Sequence, residues 1–267
     1  MRIADFANFI REIPYQYQSF DINKSIWETE VSQKWIIERI FGDEKVISIS
    51  RFDLFQSAWN LQEFAVKVLM WGYPTKGRGN NIGNLLLPKN FDTLIMNLKM
   101  MEGKKDLTFD DLLEFLQIEG LGMSTLTKLL YFKRVTIKSN PALILDQRVI
   151  NALNSGRYTD FGIERFKDIK NNNSVYNYLD YLHFMRSMAD EIKVSPDQLE
   201  LFLFEFGSNL KVAKGEEGFD MDELDAPLSY YRYKVFLDLL GIGYSEEQAS
   251  KSMNLTHEQM IEIRQKF

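Results

Sequence analysis

Apolar residues recur at intervals of three and four along most of this chain, which is the spacing of helices that bury one face. The pattern predicts helices of ordinary length at 33–41, 61–71, 91–101, 176–193 and 197–210. Strand-like alternation occurs in the run KVISISR at 45–51, which indicates a lone strand or an extended connector. We therefore predict an all-α fold with at most one minor strand.

Composition excludes several classes of stabilising site. The 267 residues, 45% of them hydrophobic, suffice for one large domain or two ordinary ones. The chain has no cysteine and two well-separated histidines, His183 and His257, which excludes disulfides and thiolate metal sites and disfavours a histidine metal site. We predict no metal and no cofactor.

The first residues are charged and lack a continuous apolar run, so we expect a cytoplasmic protein without signal peptide or membrane span.

Charge is distributed unevenly. The formal net charge of −6 argues mildly against nucleic acid, yet 121–157 carries six basic residues against a single acidic one, Asp146. The stretch 214–227 is acidic, has little hydrophobic periodicity and reads as a linker. We predict a main domain at 1–213, then an acidic linker and a small helical tail at 214–267.

The tail has the spacing of a helix-turn-helix over 243–263. Its second helix carries Glu258 and Glu262, and these carboxylates would repel phosphate. We therefore interpret the tail as a packing or protein-partner module rather than as a reader of DNA sequence.

A glycine turn between two helices is the first feature that suggests a ligand. A helix capped by Thr108 and Asp111 should end near 119, the sequence Gly-Leu-Gly follows at 120–122, and a second helix begins around Ser124. Glycines allow positive φ and close approach, and the free amides of the second helix can bind an anion such as a DNA phosphate. The same turn is also compatible with an ordinary connection between antiparallel helices.

A lone carboxylate, Asp146, follows four apolar residues in NPALILDQRVI at 140–150. Aspartate is a good N-cap for the helix predicted at 147–153. Cap hydrogen bonds beside apolar walls would also hold the carboxylate ionised, ready to stabilise a developing positive charge or to orient a water molecule. On the preceding helix, Lys128 lies opposite a leucine stripe, on the same side as Ser124.

Three segments together resemble the helix-hairpin-helix DNA glycosylases, and most closely their 8-oxoguanine DNA glycosylase branch: LQIEGLG at 116–122, TKLLYF at 127–132 and PALILDQRV at 141–149. They occur in the family's order within the stretch 107–153, so the match spans about a fifth of the chain. The resemblance implies two helical lobes with the hairpin and Asp146 on the rim of a cleft. It also implies excision of a damaged or modified base, flipped out of double-stranded DNA, by N-glycosidic bond cleavage.

The resemblance also implies catalytic roles for two residues. Asp146 would support an oxocarbenium-like sugar, and Lys128 would attack the sugar carbon in members that are also AP lyases. An attacking amine must be neutral, and we expect burial and the neighbouring Lys133 and Arg134 to favour that form. Ser124 stands where the family usually has its lysine, as in monofunctional members, whereas the 18-residue step to Asp146 favours Lys128. Both the monofunctional and the bifunctional interpretation stay open.

Further candidates surround this pair. The glycine-rich segment 71–85 should be an exposed, positively charged loop. Its residues Lys76, Arg78, Asn80 and Asn81 are candidates for DNA contact, and a merely solvated loop is the alternative. The predicted DNA-binding residues are Gly120, Leu121, Gly122, Ser124, Lys76, Arg78 and Arg148. Aromatic candidates for the base pocket are Trp71, Tyr73 and Phe132, with Phe204 and Phe206 as further options, although most aromatic residues of such a chain are core.

Two functions of other classes remain as alternatives: a non-catalytic helix-hairpin-helix module that holds DNA, and a helical protein-interaction domain with a structural hairpin. Asp146 discriminates among them. A position at a cleft with Lys128 nearby favours the enzyme, and a position far from any cavity favours binding. Oxidised guanine follows from the resemblance alone, and a modified base of foreign DNA fits equally well.

Overall fold

The computed structural model describes residues 1–267 except 58–59, 78, 103, 105, 208, 210–235, 238, 241–243, 254 and 266–267. Helices dominate the described residues. They are α1 (Ala7–Arg11), α2 (Lys24–Trp27), α3 (Lys34–Phe41), α4 (Arg51–Gln56), α5 (Leu61–Gly72), α6 (Asn81–Leu85), α7 (Pro88–Met101), α8 (Phe109–Phe115), α9 (Met123–Phe132), α10 (Gln147–Asn154), α11 (Ser174–Ile192), α12 (Pro196–Glu205), α13 (Glu246–Met253) and α14 (His257–Gln265). Within this part of the chain, none of the helices is long and apolar enough to span a bilayer.

The helices predicted from periodicity are confirmed, with differences at their ends. Helix α12 ends at Glu205, earlier than expected, and Phe206 and Gly207 form a turn. Side-chain caps fix the first residues of several helices, as the sequence indicates. In α8, the Thr108 hydroxyl accepts from the Asp111 amide at 3.3 Å while the Asp111 carboxylate accepts from the Thr108 amide at 2.8 Å.

In the described part of the chain, two small sheets accompany the helices, and they correct the prediction of at most one minor strand. Strands β1 (Ser19–Asn23) and β2 (Val46–Ser50) pair antiparallel, with Ser19 opposite Ser50. A second sheet has β3 (Asp106–Leu107) parallel to β4 (Thr136–Ile137), which pairs antiparallel with β5 (Asn140–Pro141). The run at 45–51 is therefore not a lone strand, since its partner lies upstream. Strands of two residues are too short to leave a periodic signal in the sequence.

Helix α9 lies in the core of the molecule. Every residue of α9 except Ser124 is buried, and α5 packs against it with a face that includes Phe64 and Trp71. A helix that is buried on all sides belongs to the interior of a domain. This position carries Lys128 inside the protein, close to the C-terminal end of α5.

Among the described residues of the tail, α13 and α14 lie where the helix-turn-helix spacing at 243–263 predicts two helices. The hydroxyls of Ser245 and Thr256 accept from the amides of Gln248 at 3.1 Å and Gln259 at 3.0 Å, just before α13 and α14. The predicted acidic linker at 214–227 lies outside the described residues. The domain boundary and the partner-binding role of the tail therefore stay predictions.

Candidate active site

Two tyrosines hold the backbone that leads to Asp146. The Tyr178 hydroxyl donates to the Leu143 carbonyl at 2.6 Å, and the Tyr181 hydroxyl donates to the Ile144 carbonyl at 2.8 Å. Burial raises the pKa of both phenols, so they remain protonated donors at neutral pH. These two hydrogen bonds therefore fix the backbone of the segment that precedes Asp146.

The Asp146 carboxylate caps α10, as the sequence predicts. Its Oδ1 accepts from the backbone amides of Arg148 at 2.9 Å and Val149 at 3.1 Å. Its other oxygen, Oδ2, lies 3.8 Å from the Lys128 ammonium nitrogen. Only 9% of Asp146 is exposed. One oxygen is thus used for positioning, and the other faces the candidate amine.

Lys128 is held inside the protein by its own helix. Its Nζ donates to the Ser124 hydroxyl at 2.8 Å, lies 5.4 Å from the centre of the Tyr73 ring, and is 4% exposed as a residue. Thr127, the preceding residue, accepts from the Leu145 amide at 3.1 Å and so ties α9 to the segment that ends at Asp146. The structure brings together the two residues that the sequence assigns to catalysis.

Gly72, which the sequence analysis missed, makes room for the lysine. A Cβ at this position would lie 2.9 Å from Cδ and 3.2 Å from Cε of Lys128. The last residue of α5 therefore has to be small for the lysine stem to pass in its present conformation. A glycine that directly follows the helix predicted at 61–71 is the signal that could have found it.

The charges around Lys128 correct one expectation. The Lys133 ammonium pairs with Glu102 at 2.9 Å, and the Arg134 guanidinium lies over the Phe55 ring at 4.6 Å. The charged group beside Lys128 is instead the Asp146 carboxylate. The charged group in contact with Lys128 is thus of opposite sign, whereas the sequence led us to expect neighbouring cations.

The pair opens onto a pocket of about 200 Å³. This volume is below the range of about 300–1,000 Å³ typical of sites for drug-sized molecules. The pocket is lined by Phe20, Arg51, Trp71, Gly72, Pro74, Lys128, Ile144, Asp146, Arg148, Glu200 and Phe204. Asp146 thus combines its cap role with a place in a cavity wall.

The aromatic candidates divide between pocket and core. Trp71 and Phe204 line the pocket, whereas Tyr73 contacts Lys128 from beside it. Phe132 packs behind Trp71 with ring centres 5.2 Å apart and is 1% exposed, which corrects its assignment to the base pocket. Phe206 is also a core residue, packed against Phe9. Phe132 lies in the core because it belongs to α9, of which every residue except Ser124 is buried.

The hairpin glycines have different roles. Gly120 has φ +86°, and a Cβ there would lie 2.3 Å from the Asn81 carbonyl oxygen of α6. Its close approach is therefore to the protein backbone and not to a phosphate. Leu121 is buried. Gly122 is exposed and has open space around it. It is the N-cap residue of α9 and provides no side-chain cap. The part of the turn that a ligand can reach is Gly122 with the first amides of α9.

A family model described as "Putative 8-oxoguanine DNA glycosylase OGG-like protein" matches residues 14–204. The chain belongs to this OGG-like family. The matched range contains the hairpin, Lys128, Asp146 and all the residues that line the pocket, of which Phe204 is the last. Comparison with curated proteins and with solved structures gives no significant match.

The predicted DNA-contact segment of this OGG-like protein is less exposed than expected. Trp71 belongs to α5 and is buried, and residues 81–85 form α6. Lys76 makes an ion pair with Glu30 at 2.5 Å, and Asn80 hydrogen-bonds to Asn84 at 2.8 Å. Its apolar residues, including Ile82 and Leu85, pack into the core, which corrects the prediction of an exposed loop over 71–85.

Arg148 and Arg78 are two of the residues that the sequence predicts to bind DNA. Arg148 is exposed in the first turn of α10, and its guanidinium lies over the Phe204 ring at 4.9 Å. It is also one of the residues that line the pocket. Arg78 lies outside the described residues.

A buried ion pair of the OGG-like protein joins α4 to α12 and lines the same pocket as Lys128 and Asp146. Arg51 Nη1 lies 2.7 Å from Glu200 Oε2, and both side chains are 0% exposed. Burial raises the pKa of Glu200 to about 7, and the adjacent Arg51 opposes that shift. Removing one partner of such a pair costs about 3–5 kcal/mol of stability. The partners are 149 positions apart, and no sequence motif marks either of them.

The packing of Gly120 leads to a prediction about stability. We expect Gly120→Ala to lower the free energy of unfolding by at least about 1–3 kcal/mol, because alanine resists a positive φ and its Cβ would strike α6. Denaturant unfolding followed by circular dichroism measures the effect. Gly122→Ala is the matched control, for which we expect a loss of about 1 kcal/mol or less because its position is open. Equal losses for the two variants would contradict the assigned roles.

Proposed function

We propose that this OGG-like protein is a DNA glycosylase that takes a flipped base into the pocket beside Asp146 and Lys128 and cleaves its N-glycosidic bond. The single observation that carries the proposal is the 3.8 Å separation of Asp146 Oδ2 and Lys128 Nζ at a pocket. Membership of the OGG-like family supports DNA as the substrate and glycosylase activity as the reaction class. This arrangement favours an enzyme over the binding-module and protein-interaction alternatives.

The DNA would lie across the surface that contains the hairpin and Arg148. Gly122 exposes the first amides of α9, and such amides bind phosphate through their unpaired N–H groups and the helix dipole. Arg148 would meet the strand near the flipped nucleotide. We also propose the two-lobed arrangement typical of helix-hairpin-helix glycosylases, with the pocket between the lobes.

The reaction would depend first on the charge of Asp146. As the bond between the sugar C1′ and the base breaks, the base leaves with the bonding electrons and takes up a proton, and the sugar becomes cationic. The Asp146 carboxylate is fixed by two amide donors and stabilises that charge without having to reorient. Because it is little exposed, water screens its charge only weakly.

Lys128 provides the second part of the proposal. Its neutral amine would bond to C1′ in place of the base and lose a proton, and an imine with the opened sugar would follow. Asp146 Oδ2 lies close enough to take up that proton after a small movement. If water attacks instead, the same carboxylate orients the water and an intact abasic site results.

The proposal is tested with a panel of duplexes, each of which carries one damaged or modified base. The purified protein is incubated with each duplex, and strand lengths are compared with and without alkali. We expect alkali-sensitive cleavage at the target base in at least one duplex, with undamaged duplex as the control. Gel-shift binding without base release from any duplex would favour the non-catalytic module. Absence of both release and DNA binding would favour the protein-interaction domain.

A further inference from the structure

Tyr73 directly follows α5 and places its ring against the candidate amine. The Lys128 ammonium nitrogen lies 5.4 Å from the centre of this ring. Lys128 lines the pocket, whereas Tyr73 does not belong to the described residues that line it. The ring therefore contacts the candidate amine rather than a base held in the pocket.

The side chain of Tyr73 is fixed from two directions. Its hydroxyl hydrogen-bonds at 2.8 Å to the hydroxyl of Thr125, a buried residue in the first turn of α9. The loop backbone packs on the ring, since a Cβ at Gly77 would lie 3.0 Å from Tyr73 Cδ1. The Lys76 amide also donates to the Tyr73 carbonyl at 2.8 Å, which closes the turn between them. The position of the ring is thus set by α9 and by the turn after α5.

The side chain of Lys128 is restrained along its whole length. Its ammonium donates to the Ser124 hydroxyl at 2.8 Å and to the Ser124 carbonyl at 3.3 Å. Gly72 borders the lysine stem, and the Tyr73 ring borders the nitrogen. A lysine stem is normally flexible, so a single conformation requires contacts of this kind. They hold the nitrogen 3.8 Å from Asp146 Oδ2 and leave 4% of the residue exposed.

We propose that Tyr73 is a positioning residue, which holds the Lys128 amine in place and thereby favours attack on the sugar by the amine over attack by water. This inference rests on the proposed function and concerns the choice between its two routes. In both routes the bond between C1′ and the base breaks, and the base leaves with the electron pair. In the amine route, the nitrogen lone pair forms the new bond to C1′ and the nitrogen releases a proton. In the water route, a water oxygen forms that bond and releases the proton.

Two physical effects of the ring favour the amine route. A nucleophile that is already held near its target reacts faster than a mobile one, and a displacement of about 1 Å can cost about a hundredfold in rate. A ring beside the nitrogen also excludes water from the site of attack. Without the ring, Lys128 would gain conformations and water would gain access. The amine route should therefore slow more than the water route.

The first test uses the protein without DNA. Lysines are methylated with formaldehyde and cyanoborohydride, and mass spectrometry of peptides gives the rate at Lys128. We expect slow methylation in the unmodified protein and in Tyr73→Phe, which keeps the ring, and a several-fold faster rate in Tyr73→Leu. Lys133, whose side chain is 11% exposed, is the internal control and should not change. An unchanged rate at Lys128 in Tyr73→Leu, or an equal rise at Lys133, would overturn the inference.

The second test measures which nucleophile attacks. On a substrate duplex, the amount of borohydride-trapped adduct is divided by the amount of base released. We expect Tyr73→Leu to lower this ratio at least about tenfold, because misplacement of the amine spares the water route. A general loss of structure would lower both amounts and leave the ratio unchanged. Tyr176→Leu is the matched control, because this tyrosine is 69% exposed and packs on Phe109, and it should keep the ratio. An unchanged or higher ratio in Tyr73→Leu would overturn the positioning role.

The anchor of the ring is tested with a double-mutant cycle. Tyr73→Phe and Thr125→Val each remove one partner of the 2.8 Å hydrogen bond. We expect each to lower the ratio of adduct to released base less than Tyr73→Leu does, and the double variant to show no further loss, because groups that act through one contact are not additive. Additive losses would contradict the role of Thr125 as the anchor.

Failure of this inference can be told apart from failure of the proposed function. Base release by the unmodified protein without any trapped adduct would refute the positioning role and leave a glycosylase that uses water. Absence of base release from every duplex would refute the glycosylase. The methylation experiment, which needs no DNA, would then still decide whether Tyr73 holds Lys128: faster methylation in Tyr73→Leu supports that contact, and an unchanged rate refutes it.

Discussion

Asp146→Asn will lower the rate of base release by about a hundred- to a thousand-fold, the effect expected when a preorganised group loses its interaction with the developing charge. Asparagine keeps the side-chain oxygen that accepts from the Arg148 and Val149 amides, so the position of the residue should be preserved. The substitution removes the negative charge of a carboxylate that lines the pocket and whose Oδ2 lies 3.8 Å from Lys128 Nζ. Single-turnover kinetics on a confirmed substrate measures the change.

Controls separate this loss of charge from loss of folding. Asparagine and aspartate are comparable N-caps, so the thermal stability of Asp146→Asn should stay close to that of the unmodified protein. Asp146→Ala also removes the cap and should cost about 1 kcal/mol of stability. DNA affinity should be largely retained in both variants, because the hairpin and Arg148 remain. Full activity of Asp146→Asn would show that the carboxylate is not catalytic.

Lys128→Gln will abolish a covalent adduct that borohydride traps between the unmodified protein and a substrate duplex. The imine formed by an attacking amine is reduced to a stable bond, whereas a carboxamide forms no imine. Glutamine has a shorter side chain than lysine, so we expect it to pass Gly72 without a clash, and its amide keeps hydrogen-bond donors. Denaturing gels detect the adduct, and circular dichroism checks that the variant folds.

Ser124→Ala provides the matched control for this experiment. It removes the 2.8 Å hydrogen bond to Lys128 but leaves the amine, so the adduct should persist at a reduced rate. If Lys128 only binds phosphate, Lys128→Gln would instead weaken DNA binding uniformly and reduce its salt dependence. Base release by the unmodified protein without any trapped adduct, together with an intact abasic site, would assign the attack to water. Asp146 would then act in a monofunctional enzyme.

The sequence by itself determined the features that depend on neighbours along the chain. Helix periodicity places the main helices, and Asp146 caps α10 through amides two and three positions away. The glycine hairpin and the order of Lys128 and Asp146 also belong to one continuous stretch, which is why a family resemblance could propose their roles. Interactions within a few residues leave a regular signature, because backbone geometry fixes which side chains are adjacent.

Only the tertiary structure decided which distant segments meet. The pairing of β1 with β2, the contact of Gly120 with α6 and the passage of Lys128 beside Gly72 all join separate segments. The Arg51–Glu200 pair joins residues 149 positions apart. Such contacts depend on how buried helix faces pack together, and neither partner carries a local pattern that identifies the other. The sequence could thus bring Lys128 and Asp146 together as a candidate pair from one continuous stretch, whereas the place of Arg51 and Glu200 in the same pocket required the packed fold.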